Sequence, residues 1–190
     1  MFRNISEKIT NQLLRTDVIE YDDFEIYQFG LEQMLATALN ILTTIILGIV
    51  VGEFWEGILF VFAFMMLRTY AGGYHSSTPL RCYLLTASII AVVLSVIKYV
   101  RIDSFICIVL LIISSVIILV LTPVESKNKP LDSIECVVYR RKAVTIWCIE
   151  TMSAVTFMAI GFKGIAISIV MAFMVLGISL IVGIIQAEFE

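Results

Sequence analysis

The stretch Ser104–Thr122 reads SFICIVLLIISSVIILVLT, nineteen residues without a charge. Wound as an α-helix it is about 28 Å long, close to the roughly 30 Å of hydrocarbon in a bilayer. A helix that is apolar on every side must be surrounded by lipid or protein all round. Five further runs share this character, at 34–51, 54–71, 83–99, 143–162 and 164–185, and together the six are the predicted spans. The whole chain of 190 residues is 60% hydrophobic and only 15% charged, where a soluble domain has about 45–50% apolar residues. The expected fold is an all-α integral membrane protein of about six transmembrane helices. It forms one membrane domain over residues 1–190, with the six-span bundle at 34–185.

Working outward, the first thirty residues are too polar to span. FRNISEKITNQLL sets Phe2, Ile5, Ile9 and Leu13 at helical spacing among polar residues, which predicts an amphipathic interfacial helix. DVIEYDDFEIYQFG after it reads as an acidic, aromatic connector, and this N-terminal region lacks the pattern of a cleavable signal. Lysine and arginine orient the bundle. With the N-terminus cytoplasmic, ten of the thirteen fall on the cytoplasmic side, leaving Lys98, Arg101 and Lys163 opposite. Both termini are therefore expected in the cytoplasm. So are the segment between the second and third spans and the basic loop PVESKNKPLDSIECVVYRRK, whose cations attract anionic lipid. A net charge of −3 and no basic, aromatic-laced surface argue against nucleic acid as a partner.

One polar stretch interrupts the spans: RTYAGGYHSSTPLRC, Arg68–Cys82, which holds the chain's one histidine. Gly72 and Gly73 free the backbone from helical restraint. Thr78-Pro79 reads as a helix start, threonine as cap and proline in the first turn, which puts Cys82 about one turn into the third span. The helix N-terminus and the neighbouring arginines favour a thiolate there; burial in a membrane disfavours it. On one straight helix His75 and Cys82 would be about 10.5 Å apart. The glycines and Pro79 allow the loop to fold the imidazole back onto the thiol. By spacing alone the segment is either a Cys–His reactive site or a plain connector. One histidine and one nearby cysteine fall short of a zinc site, so no metal or cofactor is expected.

The pattern Arg68-x3-Gly72-Gly73-x-His75-x6-Cys82 resembles the signature of the accessory gene regulator B family, bacterial membrane cysteine endopeptidases of peptide quorum sensing. Pro123-Val124-Glu125-x-Lys127-x-Lys129-Pro130-Leu131 resembles that family's second signature. The resemblance implies a multi-pass protein of the bacterial cytoplasmic membrane with its active site on the cytoplasmic side. It implies cleavage of an AgrD-type propeptide, loss of that peptide's acidic tail, and closure of the remainder into a thiolactone or lactone. By residue-for-residue match, Cys82 is the nucleophile and His75 its general base.

Other residues are candidates around this pair. Arg68 either holds the loop, pairs with a carboxylate, binds a substrate carboxylate, or snorkels to headgroups. Backbone N–H groups from Leu80 to Cys82 are candidate oxyanion donors. Lys127 and Lys129 either receive an acidic tail or anchor the loop. Glu150 is the carboxylate deep within a span, where such groups bind substrate or serve structure. Small residues in GISLIVG, Gly177–Gly183, allow close helix packing within one chain or in a homodimer. The competing function is a small peptide transporter without proteolytic activity. Against it stands the lack of paired broken helices in two repeats.

Overall fold

Helices account for nearly all of the chain in the computed structural model, which describes residues 2–74, 78–125 and 132–189. They are α1 (Arg3–Arg15), α2 (Phe24–Val51), α3 (Phe54–Ala71), α4 (Pro79–Tyr99), α5 (Ser104–Leu121), α6 (Ser133–Ala159) and α7 (Lys163–Phe189). Five are long and apolar enough to cross a membrane: α2, α3, α4, α5 and α7. At 27 residues α6 is as long as α7, but Arg140, Arg141, Lys142 and Glu150 reduce its apolarity. Two helices start earlier than the hydropathy predicts. The acidic connector is helical from Phe24, because a helix leaving hydrocarbon keeps its backbone bonds satisfied. The basic loop turns helical at Ser133, where Asp132 and Glu135 form a capping box.

The chain divides into two compact units, Met1–Thr43 with Ser76–Ser88, and Thr44–His75 with Ile89–Glu190. In the first, α1 buries Ser6 and Thr10 and leaves Ile5 and Ile9 outward, as a helix lying on lipid requires. Both buried hydroxyls return to carbonyls of their own helix, Ser6 to Arg3 and Thr10 to Ser6. The hydroxyls of Thr43 and Tyr83 lie 2.9 Å apart and join α2 to the start of α4.

The second unit is built on α7, which packs against α3, α5 and α6. Lipid tails are as apolar as the side chains, so close packing and polar contacts hold such helices together. Phe173, Leu176 and Leu180 of α7 are completely buried with Phe60 and Leu67 of α3. Gly177 brings α7 against Ile117 of α5, where a Cβ would meet the isoleucine methyl at 3.4 Å. Trp147 Nε1 donates to Ser115 Oγ at 3.0 Å and ties α6 to α5. Arg140 reaches the Leu119 carbonyl in the last turn of α5, and Lys142 lies over the Tyr70 ring of α3. The basic end of α6 thus serves partly to fasten helix ends.

Phe173→Ala should lower the unfolding midpoint in detergent, by a cavity cost of about 3 kcal/mol or more. Phe105→Ala, at a position 76% exposed on α5, should leave that midpoint nearly unchanged. A thermal shift series on the two variants checks the contrast.

Candidate active site

The first described residues of the two sequence motifs, Arg68–Tyr74 and Pro123–Glu125, lie in the second unit. α3 ends at Ala71, and the chain then turns through Gly72 at φ +77° and Gly73 at φ +123°. The Val124 N–H donates to the Ala71 carbonyl at 2.9 Å, and Gly72 and Val124 form a parallel bridge. Both glycines are dictated by contact as well as by φ. A Cβ on Gly72 would sit 2.1 Å from the Val124 carbonyl oxygen, and one on Gly73 would sit 2.7 Å from Ser179 Oγ.

The short strap after α3 lies along α7. The Tyr74 N–H donates to the Ser179 carbonyl at 2.9 Å and lies 3.2 Å from Ser179 Oγ. Gly183 makes this possible, because a Cβ there would meet Gly73 C and Tyr74 N at 2.9 Å. Arg68 closes the arrangement: Nη1 donates to Ser179 Oγ at 2.7 Å, and Nη2 donates to the Tyr74 carbonyl. Its guanidinium also lies 5.5 Å from the Phe64 ring centroid. Of the roles open to Arg68, the geometry contains the loop-holding one. The GISLIVG stretch packs within this chain, Gly177 on α5 and Gly183 on the strap.

The start of α4 matches the sequence expectation. The helix begins at Pro79; the Arg81 N–H lies 3.4 Å from Thr78 Oγ1, and the Cys82 N–H donates to the Thr78 carbonyl at 3.0 Å. Cys82 is half-buried one turn in. These bonds narrow the expected oxyanion donors. Proline has no N–H, and those of Arg81 and Cys82 are engaged by Thr78.

His75, Lys127 and Lys129 lie outside the described residues. Tyr74 and Glu125, which precede the two segments, are described. Glu150 is half-buried on α6, with Oε2 lacking a hydrogen-bond partner among the described residues. It stands eight residues beyond Lys142, about 12 Å further along the helix. Sequence reasoning missed Ser179 and Gly183 as partners of the strap. The only signal was the small-residue spacing itself.

The other cysteines have different surroundings. Cys107 is buried in the core and Cys148 is exposed on α6. Cys136 Sγ donates to Glu125 Oε1 at 3.3 Å. That hydrogen bond, some burial and the nearby charges of Glu125, Glu135 and Asp132 push its thiol above the ordinary value. Glu125→Gln removes the carboxylate and lowers that value, so alkylation of Cys136 at neutral pH should speed up. In Gly72→Ala, the Val124 amide should lose its protection from hydrogen exchange. Gly30→Ala, at a site with nothing within 4 Å, should leave that protection intact.

Comparison with known proteins places the chain. The profile of the family described as accessory gene regulator B matches residues 6–185. AgrB-like protein 2 of Clostridium perfringens strain 13 is 31% identical over 142 residues, 70% of this chain and 65% of that protein. An AgrB-like protein of C. perfringens strain SM101 is 30% identical over 138 residues, 68% of this chain and 62% of that protein. The matches thus span a little under two thirds of these curated relatives. No solved structure matches. With five helices able to cross a membrane and both motifs joined at Gly72 and Val124, this multi-pass membrane protein belongs to the accessory gene regulator B family.

Proposed function

We propose that the protein is a membrane-embedded cysteine endopeptidase of a quorum-sensing peptide pathway. It removes the C-terminal tail of an AgrD-type propeptide through a thioester on Cys82 and promotes closure of the remainder to a thiolactone or lactone. The observation that carries this reading is the pairing of Ala71 and Gly72 with Val124. It holds side by side Gly72 and Val124, described residues that precede His75 and the Lys127–Lys129 pair in the chain.

His75 takes the proton of Cys82, and the thiolate attacks the scissile carbonyl. A C–S bond forms and the carbonyl oxygen gains charge, which a backbone N–H at the start of α4 stabilises. The C–N bond then breaks, and the amine leaves with the proton from His75. The peptide remains as a thioester on Cys82. A cysteine or serine within the peptide attacks this thioester, closes the ring and releases the Cys82 thiol. For thiolactone closure the second step exchanges one thioester for another and is nearly balanced. A site that excludes water lets the internal nucleophile win over hydrolysis. Arg68 supports the reaction by holding the strap, with Gly72 and Gly73 permitting its path and Pro79 starting the helix of Cys82. Lys127 and Lys129 receive the acidic tail by charge attraction. Glu150 contributes to substrate binding from within the bundle. The site faces the cytoplasm, as do both termini.

Membranes carrying Cys82→Ala or His75→Ala should lose tail release by about 100-fold or more, as seen by mass spectrometry of the propeptide. Cys107→Ala and Cys148→Ala should retain it. Full activity in either of the first two variants overturns the mechanism. A propeptide fragment trapped on Cys82 and released by hydroxylamine is the expected intermediate.

A further inference from the structure

Most hydroxyl-bonded serines of the long helices turn back on their own helix, while Ser115 accepts from Trp147 of α6. Ser88, Ser95, Ser114, Ser153 and Ser168 each return their hydroxyl to the carbonyl four residues earlier. This is how a hydroxyl is ordinarily satisfied inside a helix surrounded by lipid. Ser179 does something else. Its Oγ accepts from Arg68 Nη1 at 2.7 Å and from the Tyr74 N–H at 3.2 Å, while its carbonyl accepts from the same N–H at 2.9 Å. One residue of α7 therefore holds both the end of the strap and the arginine that binds the strap's other face.

We propose that Ser179 is a positioning residue for the cleavage reaction, fixing Tyr74 and hence the backbone from which His75 departs. This rests on the reading of His75 as the general base of Cys82. The physical case is one of freedom. A residue directly after a main-chain position held by three hydrogen bonds has few backbone rotations left between it and the scaffold. Reaction rates depend steeply on small displacements of a catalytic group. Beyond the Gly72 N–H, which still donates to the Arg68 carbonyl at 3.0 Å, the strap leaves the helix as Gly72 and Gly73 take positive φ values. Its rigidity must come from outside, and α7 is the most deeply packed helix of the second unit. Arg68 alone could swing with its long side chain; Ser179, one bond from the α7 backbone, cannot. A hydrogen bond from a charged donor is among the stronger ones a protein makes, and this one ties Arg68 and the strap to the same serine.

The test uses the full chain in membranes with Cys107, Cys136 and Cys148 replaced by alanine, so that alkylation reports Cys82 alone. Ser179→Ala should lower kcat for tail release about tenfold or more, with KM little changed. It should slow alkylation of Cys82 at pH 7 toward the rate of His75→Ala. In the double variant with His75→Ala, alkylation should fall no further, because both changes remove the same assistance. Ser179→Thr keeps the hydroxyl and should keep most of the activity. Gly183→Ala displaces the strap without touching the hydroxyl and should reproduce the Ser179→Ala effect. It carries the test if Ser179→Ala fails to accumulate. Tail release and alkylation at the starting rate in Ser179→Ala, with His75→Ala inactive, overturn the role of Ser179 and leave the mechanism standing. Additive losses in the double variant do the same. Normal activity in His75→Ala overturns the mechanism, and the role of Ser179 with it.

Discussion

A chain that leaves a helix at a membrane must find a partner for every N–H and carbonyl it releases. At the end of α3 the partners come from far along the sequence. The Ala71 carbonyl takes the Val124 N–H, and the Tyr74 N–H takes Ser179. The rest of the second unit follows from these bonds. Backbone must touch backbone at Gly72 and at Gly183, so neither position has room for a Cβ. Arg68, on the last turn of α3, has its charge drawn to a serine and a carbonyl, where in a plain connector it would reach for headgroups. Val124, just after α5, is held beside Gly72, just after α3.

The bundle was legible because lipid imposes a simple demand. An uncharged run of the right length has few other folds, and α3 and α5 lie almost where hydropathy puts them. The helix start at Thr78-Pro79 was legible for a local reason, since a cap and a first-turn proline act within a few residues. The early starts of α2 and α6 were not. Hydropathy marks where hydrocarbon begins, whereas a helix begins where its first N–H groups are satisfied. For α6 the signal was present, as Asp132-x-x-Glu135, but it was embedded in a basic loop. The strap could not be foreseen at all. Nothing near Ser179 in sequence separates it from a serine that bonds its own helix, and its partner Tyr74 is 105 residues away. Small residues at Gly177 and Gly183 announced close approach without saying to what. The geometry of His75 toward Cys82 lies outside the described residues, so that pairing rests on the motif.

Four cysteines on one chain also show how environment assigns chemistry. Cys107 is enclosed by apolar side chains, which exclude a peptide. Cys148 is exposed on α6. Cys136 is accessible, yet it donates to a carboxylate and has further carboxylates nearby, the reverse of what a nucleophile needs. Cys82 differs in kind: it is half-buried and one turn inside a capped helix that starts at a proline. That local structure follows from Thr78 and Pro79 alone, so the cysteine proposed as nucleophile stands where the sequence also starts a helix.

Placing acyl transfer at a membrane has a cost and a return. The cost is that every polar group near the reacting atoms must be satisfied by protein, because water is scarce. The strap meets that demand with main-chain bonds and one arginine. The return depends on the proposed thioester. In water that thioester would be open to hydrolysis, giving a linear peptide. In a site shielded by lipid and helix ends, the nearest nucleophile is the one carried by the peptide itself. A scaffold that holds the base rigidly and keeps water out therefore selects the cyclic product without having to recognise the ring.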